Sequence, residues 1–364
     1  MGKGGSSATD QYLLTRVRES GRESVDFDNL GFGDVFTDHM LVSDWHDGAW
    51  STPRIIPHGP LSVSPAALGL HYGQSVFEGL KAYWGITDNQ IRLFRPDRNA
   101  ARLAASCERL CIPAPDPETF VAAISALVSV ERNWVPHVRG QALYLRPLLF
   151  ASEGHLAVRP AQTYTFVVIA APVSEYFGRT GRALSLKAEE RFTRAAPGGT
   201  GSAKTAGNYA ATLQPMLSTS CEGFDQILWL DGREHRFAEE AGQMNVFFYL
   251  DDTVVTPDLG GTILPGVTRE SVLALLHDWG IPTEERRLSM DEIQQAAGKG
   301  RLREIFGAGT AAVVVPIMRI HHLGADICCR PPKHGSLCAR LYDALLGVQH
   351  GELPDHYQWT YRVT

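Results

Sequence analysis

Only six lysines occur in this 364-residue chain, and one of them, Lys204, lies in a stretch of almost uniformly small residues, PGGTGSAKTAGNY, from Pro197 to Tyr209. An uncrowded, partly desolvated lysine has a depressed pKa and can attack a carbonyl as a free amine. The surrounding glycines let the backbone come close to a ligand. A solvated lysine on a flexible surface loop is the plain alternative, so the reading depends on whether the rest of the chain supplies partners for the amine.

Three kinds of partner are present. Tyr209 follows Lys204 by five residues and offers a phenol. Glu239 and Glu240 sit in an apolar strand pattern just before Ala241-Gly242. A carboxylate there is costly to bury unless it meets a cation, and adjacent strand residues face opposite sides, so one of the two can point inward. Two backbone features suit an anion. LPGVTRESV, from Leu264, turns into a helix N-terminus at Thr268, and FGAGTAA, around Thr310, is an amide-rich turn. Arg92, Arg95, Arg98, Arg102 and Arg109 add positive charge. An amine, a phenol, a carboxylate and a phosphate cup are together what pyridoxal phosphate requires.

A nucleotide-binding reading competes. Gly198 to Thr205, GGTGSAKT, differs by one residue from a phosphate loop, and the run ILWLD ends in Asp231, placed as a metal-binding aspartate would be. Ala203 stands where that loop has glycine, however, and EERFTRAAP is not the buried apolar strand that should precede it. Asp231-Gly232 reads better as a hairpin turn.

Composition narrows the class. A hydrophobic content of 44%, with 20% charged residues, fits a soluble enzyme, and the length predicts two domains. A net charge of -6 argues against nucleic acid or anionic membrane as main partner. The polar N-terminus lacks a secretory signal; Gly2 and Ser6 match a loose myristoylation pattern, but residues 1–25 read as a poorly ordered leader. The six cysteines lack metal spacing and read as reduced, mostly buried thiols of a cytoplasmic protein.

The elements that must position these groups follow from periodicity. Val35 to Gly48 reads as a hairpin closing at Asp47-Gly48, and Asp97–Leu110 and Phe120–Val130 as helices. QALYLRPLLF and TYTFVVIAAPV read as strands. EYFGRTGR is the predicted linker, giving a first domain over 1–174, a linker over 175–182 and a second domain over 183–364. In the second domain a helix is expected over Asn208–Leu217 and an antiparallel meander over Asp225–Pro257, with HRFAEEAGQMNVFFYL as one strand. Helices follow over Thr268–Trp279, from a Ser289–Glu292 capping box, and over 335–350. The predicted architecture is two mixed α/β domains with antiparallel content.

Seven segments in order, GLHYGQSVFEGLKAY, LFRPDRNAARLAASCERLCIP, ALYLRP, GGTGSAKTAGNYA, EEAGQMNVFF, ILPGVTRESV and FGAGTAAVVVP, resemble branched-chain amino acid aminotransferases, over about Phe36 to Ile320. The resemblance implies the pyridoxal-phosphate fold type IV, similar to D-amino-acid aminotransferase, with the cofactor at the domain interface of a homodimer. It implies transamination of leucine, isoleucine or valine with 2-oxoglutarate by ping-pong chemistry, through a Schiff base on Lys204. It matches Glu240 to the carboxylate on the pyridine nitrogen, Tyr209 to the phenol on O3′, and Arg102, Val267, Thr268 and Thr310 to the phosphate. Tyr72, Phe77, Tyr144 and Arg146 match substrate-pocket residues, Arg146 meeting the side-chain carboxylate of glutamate, and Thr310-Ala311 match the amides for the α-carboxylate. Ala312 and Val315 stand where mammalian members carry a redox cysteine pair, and Gln243 stands where many relatives have Gly or Thr. A specialised aminotransferase for an unusual apolar or aromatic oxo acid is the alternative on the same fold.

Overall fold

A computed structural model describes residues 12–176, 182–329 and 335–364. The chain divides into two compact units, Met1–Tyr176 with Leu346–Thr364, and Phe177–Leu345. Residues 346–364 thus join the first unit, not the second as the sequence reading placed them. The strand Thr360–Arg362 explains this, because it pairs antiparallel with Ile91–Phe94. Most of the predicted linker, residues 177–181, lies outside the described residues, as do Gly2 and Ser6. No helix among the described residues is long and apolar enough to cross a membrane.

The first unit is built on one sheet. Its path runs Leu13–Leu14, Arg54–Pro57, His39–His46, Tyr164–Val173, Ala142–Ala151, Leu80–Trp84, Ile91–Phe94 and Thr360–Arg362. Asp47 and Gly48, at φ 52° and 82°, close the predicted hairpin onto Ala49–Trp50, since both central positions of such a turn need positive φ. The helices Pro96–Arg109 and Pro117–Val130 each open on a proline, and Asp116 caps the second by accepting from Thr119 N. Leu103, Phe120, Ile124 and Leu127 pack with Leu41, Leu93 and Leu145 to form the core.

Residues 12–25 correct the expectation of a disordered leader. Leu13–Leu14 pairs parallel with Arg54–Ile55, and Tyr12, Leu14 and Val25 pack on the core. Asp38 accepts from Ser20 Oγ and Gly21 N, and Val17 N donates to His39 Nε2. His39 in turn bonds the buried Glu131. The Gly/Ser-rich composition is confined to the first ten residues, and the apolar YLL that follows has a core to join.

The second unit is a mixed sheet that closes on itself. The path Ala238–Ala241, Gln226–Leu230, Leu184–Ala188, Val313–His322, Leu302–Gly309 and Met244–Leu250 returns to Ala238–Ala241 through the pairs Glu240↔Asn245 and Ala241↔Met244. Closure leaves Glu240 between Trp229 and Asn245, with no free edge at that point. The predicted single strand HRFAEEAGQMNVFFYL is therefore a hairpin: Gly242, at φ 60°, and Gln243 form its turn. The predicted helix Asn208–Leu217 is likewise two, Ala206–Ala210 and Leu213–Cys221. Ser289 caps Met290–Gly298 by accepting from Glu292 N, as its spacing predicts. Phe247 and Phe306 stack at 5.0 Å in the interior.

Candidate active site

Lys204 follows a compact turn and stands one residue before Thr205, the N-cap of the helix Ala206–Ala210. Asn208 ties that turn together, donating from Nδ2 to Thr200 O (2.8 Å) and Ala203 O (2.9 Å). Gly201 lies against the segment at Thr262, where an added Cβ would fall 2.5 Å from the Thr262 carbonyl oxygen. The smallness of this glycine thus serves close backbone packing. Held in this way, Lys204 Nζ donates to Tyr209 Oη at 2.9 Å and stands 5.3 Å from the ring centroid.

Both glutamates of the Ala238–Ala241 strand are buried, although alternation allowed only one to be expected inside. Glu240 Oε1 accepts from Leu264 N at 2.8 Å, and Oε2 lies 3.0 Å from Arg194 Nε. Glu239 Oε1 accepts from Thr262 Oγ1 at 2.6 Å. Burial raises the Glu239 carboxyl above its ordinary range, against the opposing pull of the Thr262 hydroxyl and Arg194.

The helix Val267–Asp278 begins at Gly266, where no side chain caps the first amides. Asn245 fixes this start by donating to Leu264 O at 3.0 Å, and a Cβ on Gly266 would meet Asn245 Oδ1. The amides of Val267 and Thr268 therefore begin an uncapped helix, which favours an anion. Thr310 and Ala311 form the turn between Leu302–Gly309 and Val313–His322, half-buried.

In the first unit, Arg102 and Glu78 form a buried bidentate pair: Nε and Nη2 donate to the two carboxylate oxygens at 2.7 and 2.8 Å. Asn99 Nδ2 and Gly79 N also donate to Glu78 Oε2. Arg146 Nη2 donates to Tyr144 Oη at 2.9 Å, and its guanidinium carbon lies 4.8 Å from the Phe77 ring centroid. Gly79 makes room for that phenol, since a Cβ would come within 2.2 Å of Tyr144 Oη. Tyr72 is more exposed, and its hydroxyl donates to Leu156 O.

Residues 75–320 match the amino-transferase class IV family. The chain is 43% identical over 356 residues to branched-chain-amino-acid aminotransferase 2 of Bacillus subtilis, with 98% of each chain covered. It is 45% identical over 348 residues to a probable branched-chain-amino-acid aminotransferase of Staphylococcus epidermidis, covering 95% of this chain and 97% of that one. This chain belongs to the class IV aminotransferases. Among solved structures, a T.th. branched-chain amino acid aminotransferase with pyridoxamine 5′-phosphate aligns at a TM-score of 0.71 and 26% identity, covering 88% of this chain and 98% of that chain. The Escherichia coli branched-chain amino acid aminotransferase shares the fold at a TM-score of 0.70 and 24% identity, covering 88% of this chain and 99% of that chain.

Class IV aminotransferases depend on pyridoxal phosphate, and the donor set of the second unit fits that group. It offers a lysine amine touching a phenol, an anchored buried carboxylate, and an uncapped helix start. The structure brings Lys204 to Tyr209, and Phe77 and Tyr144 to Arg146, whereas Tyr72 spends its hydroxyl on Leu156. Gln243 is exposed at the hairpin turn. Asp231 accepts from the amides of Arg233, Glu234, Arg236 and Phe237, so its carboxylate is a turn anchor and not a metal ligand of a nucleotide site.

Sequence reasoning misses Arg194, Glu78, Asn208 and Asn245 as site-building residues. The available signal for Arg194 is a charged residue leading into the apolar Ala195-Ala196 just ahead of the Lys204 loop. The free cysteines divide, with Cys107 and Cys338 buried but Cys111, Cys221 and Cys328 exposed, contrary to the expectation of mostly buried thiols.

Proposed function

We propose that this chain is a branched-chain-amino-acid transaminase that passes amino groups between leucine, isoleucine or valine and 2-oxoglutarate, with pyridoxal phosphate as cofactor. The observation that carries the chemistry is the 2.9 Å contact of Lys204 Nζ with Tyr209 Oη in a loop braced from several sides. The two near-full-length relatives carry the substrate class. When bound, pyridoxal phosphate supplies an electron sink that labilises the α-proton of the amino acid. Lys204 Nζ would hold the cofactor and is placed to move a proton as general base and acid. Tyr209 Oη orients that amine and would hydrogen-bond the phenolic oxygen, and Glu240 would keep a proton on the pyridine nitrogen. The amides of Val267, Thr268 and Thr310 would hold phosphate; Arg102, the further phosphate residue of the resemblance, has its Nε and Nη2 engaged by Glu78.

On the substrate side, Phe77 and Tyr144 provide an apolar wall, with Tyr72 as a further pocket residue. Arg146 answers the side-chain carboxylate of glutamate, and the Thr310-Ala311 amides receive the α-carboxylate. A half-buried arginine would oppose an apolar substrate if left bare. Its perch on Tyr144 and Phe77 supplies an alternative partner when no carboxylate is present. The protein works as a cytoplasmic homodimer in this reading.

Purified protein should absorb in the visible, bleach with borohydride, and lose both properties as Lys204→Ala. A colourless protein that fails to take up pyridoxal phosphate sinks the reading. With glutamate as donor, the oxo acids of leucine, isoleucine and valine should turn over. Exclusive use of a different oxo acid would transfer the chain to a specialised aminotransferase.

A further inference from the structure

Arg194 is buried, and its guanidinium joins three separate stretches of the second unit. Nη2 donates to Gly201 O, in the turn that leads to Lys204, at 3.1 Å, and also to Thr262 O. Nε lies 3.0 Å from Glu240 Oε2. Glu240 Oε1 is held independently by Leu264 N, while Oε2 faces the Arg194 guanidinium as an ion pair in which Nε makes no hydrogen bond. Glu239 also interacts electrostatically with Arg194, and its Oε2 is buried without a hydrogen-bond partner.

We infer that Arg194 is a positioning residue for the transamination: from behind Glu240 it keeps that carboxylate ionised, so that the proton shared with the cofactor resides on the pyridine nitrogen. This inference rests on the proposed role of Glu240 toward pyridoxal phosphate.

The physical argument concerns where a shared proton sits between two bases in a dry site. A buried carboxylate beside a pyridine gains by taking the proton itself, because the neutral pair avoids burying two charges. A fixed cation on the carboxylate side reverses this preference. It stabilises the anion and repels a proton placed on it. Arginine suits the task because it does not itself deprotonate, and its planar fork can meet a carboxylate and two carbonyls at once. Lysine has the charge without the fork. The same side chain couples the charge to geometry, since its bonds to Gly201 O and Thr262 O set the Lys204 turn relative to Glu240.

The test uses holoenzyme reconstituted with pyridoxal phosphate labelled with ¹⁵N in the ring. The wild type should give a protonated-ring resonance at neutral pH. In Arg194→Gln the resonance should move toward the unprotonated position, and the single-turnover half-reaction should slow by about tenfold or more, the equivalent of one pKa unit or more. Substrate KM should change much less. Circular dichroism and the cofactor stoichiometry establish that the variant is folded and loaded. Should Arg194→Gln fail to fold, Arg194→Lys should show a smaller displacement of the same resonance and a smaller loss of rate. A ring resonance and half-reaction rate unchanged from wild type in a loaded variant overturn the inference. Failure of the wild type to bind cofactor would instead overturn the proposed function.

Discussion

At the scale of single residues, Arg146 shows how a charge can be kept available without being left bare. Its guanidinium lies over Phe77 and donates to Tyr144, in a space that exists because position 79 has no Cβ. Arg146→Met should therefore raise KM for 2-oxoglutarate by about tenfold or more while changing KM for leucine little, as loss of a charge-assisted contact worth about 1.5–3 kcal/mol requires. Steady-state kinetics with each substrate varied separately checks this. Gly79→Ala should displace Tyr144 and impair both substrates, with a stability loss of about 1–3 kcal/mol from overpacking, measurable by urea unfolding. Lys81 gives a pH signature. Burial lowers its pKa from 10.5 to about 8, partly offset by Glu175. Between those values the unfolded chain binds more protons than the folded one, so this residue's contribution to stability rises with pH from about 8 to 10.5. The stability difference between wild type and Lys81→Met should shift toward the wild type across that window, and chemical denaturation at stepped pH reads it. The candidate residues stand out in the sequence because an amine, a phenol and a carboxylate announce themselves by type. Arg194 and Glu78 do not, because a residue that acts by bracing another is defined by contacts far away in sequence, 46 residues in the case of Arg194 and Glu240.

At the scale of elements, local patterning located a helix start where a cap was read, at Ser289, and placed the body but not the Asp116-Pro117 start of Pro117–Val130. It failed where two short elements share one hydrophobic pattern. The run from Ala238 to Leu250 looks like one strand because both arms are apolar, and only the positive φ of Gly242 divides it. The closed sheet of the second unit was likewise invisible, since closure rests on the pairing of Glu240 with Asn245 and on parallel partners distant in sequence. The stretch 12–25 yields a prediction at this scale. Removing residues 1–25 deletes a strand and the bonds that Ser20, Gly21 and Val17 make to Asp38 and His39. The truncated protein should melt at least several degrees lower, a few kcal/mol being enough for such a shift. Its hydrogen exchange should rise at His39–His46 and Arg54–Pro57. A truncation as stable as the full chain would show the stretch to be an ornament.

At the scale of the whole molecule, each unit has its own apolar interior, so damage should stay largely within one of them. Phe306 stacks on Phe247 and is completely buried. Phe306→Ala should cost about 3–5 kcal/mol. Exchange-detected protection should fall across Leu302–Gly309 and Met244–Leu250 while Ala142–Ala151 and Tyr164–Val173 keep theirs. Equal loss in both sheets would mean that the units unfold as one. The return of residues 346–364 to the first unit also bears on how the protein is made. Synthesis delivers every strand of the second unit before Thr360–Arg362, the partner of Ile91–Phe94. The first unit therefore cannot close during synthesis: until residues 346–364 emerge it keeps an open sheet edge and an uncovered Phe94, which packs against Trp359. During that interval the ribosome-bound protein presents a sticky border, and chaperones have a defined place and time to act.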